Sequence, residues 1–183
     1  MTNPMRTFYA AGLLALTLNT SPALASTGYQ LKDLGVLDGY TQSFSYGLSD
    51  NGEFVAGWLQ AGSVTRAFRW SSSAGMEILP LDAGMTASRA FGVNDSGVVA
   101  GESVLSPTRR EATLWSPTGV RNGLGTLPNP GNANFSSVAF GINNQGVAAG
   151  WSDSADNTRA FRWTVGDGMT PNAMMAGPPI LPI

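Results

Sequence analysis

The chain contains no cysteine and no histidine, and charged side chains make up only 12% of its 183 residues. Without cysteine there is no disulfide framework, so stability has to come from packing. Without histidine, Ser-His-Asp and Cys-His catalysis, imidazole zinc sites and a histidine pH switch are all excluded. Any metal would be a hard cation on oxygen ligands. The twelve-residue EF-hand loop with its closing Glu is missing, and neither a metal nor a cofactor is expected. Ten basic residues face twelve acidic ones, with no long run of either sign. A nucleic-acid partner, which needs clustered Lys and Arg, is therefore not expected.

Long apolar runs are scarce too, and the one that exists has an address. Arg6 precedes an apolar stretch from Phe8 to Leu18, followed by the small-x-small triplet Ala23-Leu24-Ala25. That order describes a secretory signal peptide over residues 1–25. The stretch is about half the ~20 residues needed to span a bilayer, and no later segment could span one. The expectation is an exported protein, located outside the cell, on its surface or in the periplasm. Cleavage after Ala25 leaves 158 residues (183 − 25) and nine basic against twelve acidic side chains. That is a one-domain length.

What the chain has in abundance is repetition. "SYGLSDNGEFVAG" (Ser45 to Gly57), "AFGVNDSGVVAG" (Ala90 to Gly101) and "AFGINNQGVAAG" (Ala139 to Gly150) are variants of one sentence. Gly47, Gly92 and Gly141 recur at 45 and 49 residues; Trp70, Trp115 and Trp163 recur at 45 and 48. Periods of this length point to stacked β units, as in four-stranded propeller blades.

Four short strand candidates can be read in each unit. The first is Leu-rich: Leu31 to Leu37, Met76 to Leu81 and Val120 to Leu127. The second holds Tyr46-Gly47-Leu48 and its echoes, the third is "FVAG", "VVAG" or "VAAG", and the fourth is "RAFRW", "EATLW" or "RAFRW". "SDNG", "NDSG" and "NNQG" join the second and third as type I turns. Their first side chain caps backbone N–H groups, and the fourth-position Gly supplies a positive φ. Within the fourth strand, alternation puts Phe68 and Trp70 on one face and Ala67 and Arg69 on the other. No helical apolar period appears after the leader. The fold class is all-β: tandem four-stranded antiparallel blade-like repeats forming a partial or open β-propeller-like array. The repeat domain covers residues 26–170, in units of about 29–70, 76–115 and 120–163.

The unit A/S-aromatic-G-I/L/V-N/S-x-x-G-x-V/A-A-G, then R-A-F-x-W and G-M-x-x-L, resembles the HAF-repeat family of bacterial extracellular repeat proteins. The resemblance covers roughly residues 29–170 and implies a secreted or surface propeller-like protein without transferable catalytic residues. Arg66 and Arg159 stand where the family has the histidine of His-Ala-Phe, and the second copy reads Glu111-Ala112-Thr113. After Thr170 the repeat gives way to a Pro-rich tail, residues 171–183, expected to be irregular and to form no blade strand. Propellers close with about four to eight blades. Three units would leave apolar faces uncovered, and self-association or marginal stability is expected.

Candidate contact residues are few. Trp58 and Trp151 follow the Ala-Gly of the third strand and could stack on sugar rings; Glu102 takes their place in the second copy. Arg66 and Arg159 could clasp an anionic ligand. For each, packing or a strand-edge ion pair is the competing reading. Asp33, Asp50, Glu77, Asp95 and Glu102 are scattered, and no catalytic pair can be placed among them. Two functions stand side by side: a non-catalytic interaction or adhesion module with a protein or surface-glycan partner, and a glycan-binding or glycan-active propeller protein.

Overall fold

The structure, a computed structural model, describes residues 28, 30–128, 136–155 and 157–171. The chain divides into Met1–Lys32 and Asp33–Ile183, and the strands among the described residues lie in the second unit. The leader expected at residues 1–25 lies outside the described residues. Among the described residues, twelve strands form three four-stranded antiparallel sheets, each in simple sequence order. The first blade is β1 (Gln42–Leu48), β2 (Phe54–Ala61), β3 (Val64–Ser71) and β4 (Gly75–Ile78). The second is β5 (Ala87–Val93), β6 (Val99–Ser106), β7 (Arg109–Trp115) and β8 (Arg121–Gly123). The third is β9 (Ser137–Ile142), β10 (Ala148–Asp153), β11 (Thr158–Thr164) and β12 (Gly168–Pro171). No helix occurs among the described residues.

The repeated tetrapeptides form the β1–β2, β5–β6 and β9–β10 turns. Gly52, Gly97 and Gly146 take φ values of 74°, 75° and 75°. Each donates its N–H to the carbonyl three residues earlier, Ser49, Asn94 or Asn143. The Asn94 Oδ1 accepts from the Ser96 and Val98 N–H groups, and Asn143 does the same for Gln145 and Val147. Ser49 Oγ plays that part for Phe54.

Each sheet closes one strand later in the sequence than the expected units do. Leu31 to Leu37 forms no strand, whereas Met76 and Glu77 pair with Trp70 and Arg69 of β3. Arg121 pairs likewise with Trp115. The units 29–70, 76–115 and 120–163 are thus corrected to sheets spanning 42–78, 87–123 and 137–171. The cause is the short turn after each "RAFRW"-type strand, ended by Gly75, Gly119 or Gly168 in positive φ. A tight turn commits the following residues to the strand just completed. Pro171, expected to fall outside any strand, ends β12 opposite Phe161. An edge strand tolerates a residue without an N–H. Residues 172–183 lie outside the described residues.

Neighbouring sheets pack face to face. Between the first and second blades lie Ala56, Ala67, Leu79, Ala90, Val93, Val99 and Trp115. Between the second and third lie Ala100, Ala112, Leu114, Leu127, Ala139, Ala148 and Phe161, among others. Small residues on one face meet larger ones on the next, as the alternation in "RAFRW" foretold. Serines stitch the seam. Ser88 Oγ accepts the Ala67 N–H, and Ser137 Oγ accepts that of Ala112, at 2.9 and 2.8 Å. The turns form a second seam: the Asp95 carboxylate takes the Asn51 N–H, and Asn144 Oδ1 takes the Asp95 N–H, both at 2.9 Å. Arg69 adds a third link, donating to the Gly97 and Pro117 carbonyls of the second blade.

Candidate functional site

The triplets Ser45-Tyr46-Gly47, Ala90-Phe91-Gly92 and Ala139-Phe140-Gly141 each contain a β-bulge. Ser45 pairs with Gly57 and Gly47 with Ala56, so Tyr46 has no partner in the ladder. Phe91 and Phe140 are skipped in the same way. A bulge re-aims the extra side chain. It also drives the preceding backbone against the facing strand. A Cβ on Gly57, Gly101 or Gly150 would stand 1.9, 2.0 or 1.8 Å from the carbonyl oxygen of Phe44, Arg89 or Val138. That contact explains the glycine that ends every "VAG".

Because the first strands of consecutive blades approach closely, the re-aimed rings meet. A Cβ on Gly47 would lie 2.9 Å from Gly92 Cα, and one on Gly92 3.0 Å from Gly141 Cα. Tyr46 and Phe91 are edge-on at 6.0 Å between centroids, and Phe91 and Phe140 at 5.4 Å. Trp58 stacks on Tyr46 at 4.3 Å and lies 5.9 Å from Phe91, with Phe44 beyond it at 5.6 Å. The result is an aromatic row across three blades. Tyr46 is 64% exposed and Phe140 51%. Exposed apolar rings in a continuous row, rather than scattered singly, mark a contact surface.

Of the residues singled out from the sequence, Trp58 belongs to this row. Trp151 does not; it is half-buried in β10, opposite Val138 and Ala160. Arg66 and Arg159 stand on the first and third blades, with the second between them, so they form no joint clasp. Arg66 donates to the Thr65 and Thr86 carbonyls. Four of the five acids are individually engaged, while Asp50 stands exposed in the β1–β2 turn. Asp33 accepts the Gly35 N–H, and Glu77 pairs with Arg69 at 3.0 Å. Asp95 serves the turn seam and also accepts from Asn144 Nδ2, which accounts for the polar turn residues without a metal. Glu102 is 1% exposed and held by Arg89 at 2.8 Å and Arg110 at 3.3 Å. A cleft of about 380 Å³ opens beside Arg69, Leu79, Pro80, Pro117 and Gly119. Its cation and its carboxylate, Arg69 and Glu77, are already bound to each other.

The row was not visible as a row in the sequence. The repeated aromatic-Gly pair was its signal, but the bulge that turns the ring out of the ladder depends on pairing register.

No family model and no curated protein match the chain. Among solved structures it is similar to a protein assigned as TolB from Agrobacterium tumefaciens. The TM-score is 0.53 at 11% identity, over 73% of this chain and 50% of that one. The chain thus spans about half the length of that protein. At this identity the likeness concerns the fold, and it agrees with the three sheets: the chain is a β-propeller-like repeat array.

Proposed function

We propose that the chain is an exported, non-catalytic interaction module that contacts a polypeptide partner through the aromatic row. The observation that carries this reading is the threefold bulge, which holds Tyr46, Phe91 and Phe140 out of their ladders and into one line. Aromatic residues are enriched in the buried centres of protein interfaces, where rigid rings contribute large area at low entropy cost. Export is supported by Arg6, the apolar stretch and Ala23-Leu24-Ala25, and the repeat pattern supports a place among HAF-repeat proteins.

A second reading is glycan binding, favoured by one feature. Tyr46 is exposed and backed by the stacked Trp58, which makes a braced platform for a sugar ring. The test places a photo-crosslinking amino acid at Phe91 and, as a reference, at Val165, which is exposed off the row. Irradiation in the exporting cell is expected to yield a discrete polypeptide adduct at position 91 alone, lost in the Tyr46→Ser/Phe140→Ser background. Absence of that adduct, together with glycan-array binding that Trp58→Ala abolishes, would replace the first reading with the second. Absence of both would overturn the row as a binding surface.

A further inference from the structure

Each blade has a trailing face, turned to the next blade, and a leading face, turned to the previous one. Three trailing positions recur: Ala56, Ala100, Ala149; Ala67, Ala112, Ala160; and Arg69, Leu114, Arg162. In the first two blades all six residues are buried. In the third, Ala149, Ala160 and Arg162 are exposed. The glycine column shows the same break. Gly47 and Gly92 have a neighbouring backbone where a Cβ would go, while Gly141 has nothing within 4 Å.

The leading faces mirror this. Ala90 and Val93 on the second blade and Ala139 on the third are buried. Their counterparts on the first blade, Ser45 and Leu48, are exposed, Leu48 to 66%. Ser88 and Ser137 are fully buried where they accept an N–H from the previous blade, whereas Ser43 is only half-buried.

We infer that the trailing face of the third blade docks the leading face of the first blade of a second copy, head to tail. The contact continues, position by position, the interface already made twice within the chain. Leu48 would meet Ala149 and Ala160, as Val93 meets Ala56 and Ala67. Gly47 would meet Gly141, as Gly92 meets Gly47. Ser43 would accept the Ala160 N–H, as Ser88 accepts that of Ala67. A blade from an unrelated protein would supply this register only by coincidence. Head-to-tail contacts of one kind close into a ring when the rotation permits. Two copies of the three described sheets make six, within the range of about four to eight at which propellers close. The aromatic row would then also close, with Phe140 of each copy beside Tyr46 of the other.

Native mass spectrometry with light scattering on the full chain tests this. The expected result for the unaltered protein is a two-copy species. Gly141→Val adds a side chain into open space at a backbone without positive φ, so the monomer should keep its far-UV spectrum while the two-copy mass is lost. Leu48→Arg should do the same from the opposite face. Each variant retains the face that the other lacks. A mixture of the two should therefore recover a two-copy species at higher concentration, held by one contact instead of two. A monomeric parent protein would overturn the inference. So would variants that still pair, or a mixture that stays monomeric. Phe91 lies mid-row, away from both faces, so failure here is distinguishable from failure of the aromatic surface.

Discussion

Replacing Gly101 by alanine isolates the geometry that creates the aromatic row. Gly101 does not have a positive φ, so alanine meets no backbone strain and the effect is purely one of space. Its Cβ would lie 2.0 Å from the Arg89 carbonyl oxygen, 2.9 Å from Ala90 Cα and 3.0 Å from Arg89 C. All three are backbone atoms of β5 and cannot rotate away. The carbonyl must retreat by about 1 Å merely to reach 3.0 Å, the lower limit of real Cβ contacts. That pulls β5 from β6 at the bulge carrying Phe91. Overpacking a close-packed site costs about 1–3 kcal/mol, occasionally more, and an obstacle made wholly of backbone puts this site at ~3 kcal/mol or above. Alanine also stiffens the unfolded chain, which offsets about 0.4–1 kcal/mol. The same substitution at Gly166, where a Cβ meets nothing within 4 Å, reads that term alone. At roughly 2–4 °C per kcal/mol for a chain of this size, Gly101→Ala should lower Tm by about 5–10 °C. Gly166→Ala should leave it level or slightly raised. The assay is thermal unfolding followed by far-UV circular dichroism. A Gly101→Ala protein melting within about 1 °C of the parent would refute the bulge geometry.

Ser88→Ala removes the acceptor of the buried Ala67 N–H and should cost about 1–3 kcal/mol by denaturant titration; Ser43→Ala, at the half-buried equivalent, should cost less than about 1 when both are measured in a Gly141→Val background, where no second copy covers Ser43. Arg89→Leu and Arg110→Leu should each cost about 1 kcal/mol, because Glu102 keeps the other arginine, while the double variant should lose about 3–5 by leaving a buried carboxylate unpaired. Simple additivity in that double-mutant cycle would show that Glu102 reaches water.

Much of this architecture is readable from residue order. "NDSG" and its echoes carry turn chemistry in the residues themselves, so local physics decides them. The split of Phe68 from Ala67 needs only the twofold period of a strand. The phase of the sheets was harder. "MEILPL" has the same composition whether it opens one blade or closes another, and only the short turn ending at Gly75 decides between them. The site was legible in part. Trp58 stood out as an aromatic without a partner in the second copy. Tyr46, Phe91 and Phe140 did not, because a bulge is a property of two paired strands and leaves one strand's sequence unmarked. Arg66 and Arg159 looked alike because their surroundings repeat. The repeat already put a whole unit between them; what it left open was the surroundings, which for Arg66 are the Thr65 and Thr86 carbonyls.

A chain that writes one sentence three times runs the hazard of pairing the wrong lines, since a strand from one copy fits the frame of another. The departures from the repeat answer that hazard. In the first blade Trp58 lies across from Phe44, in the second Glu102 lies across from Arg89, and in the third Trp151 lies across from Val138. Were β6 to enter the third sheet, its carboxylate would stand at the half-buried place of Trp151, opposite Val138 and without the Arg89 and Arg110 that hold it in the second. That pairing forfeits both charge-assisted hydrogen bonds and sets a carboxylate against an apolar side chain. Glu102 therefore acts as a proofreading mark as well as a link between two arginines.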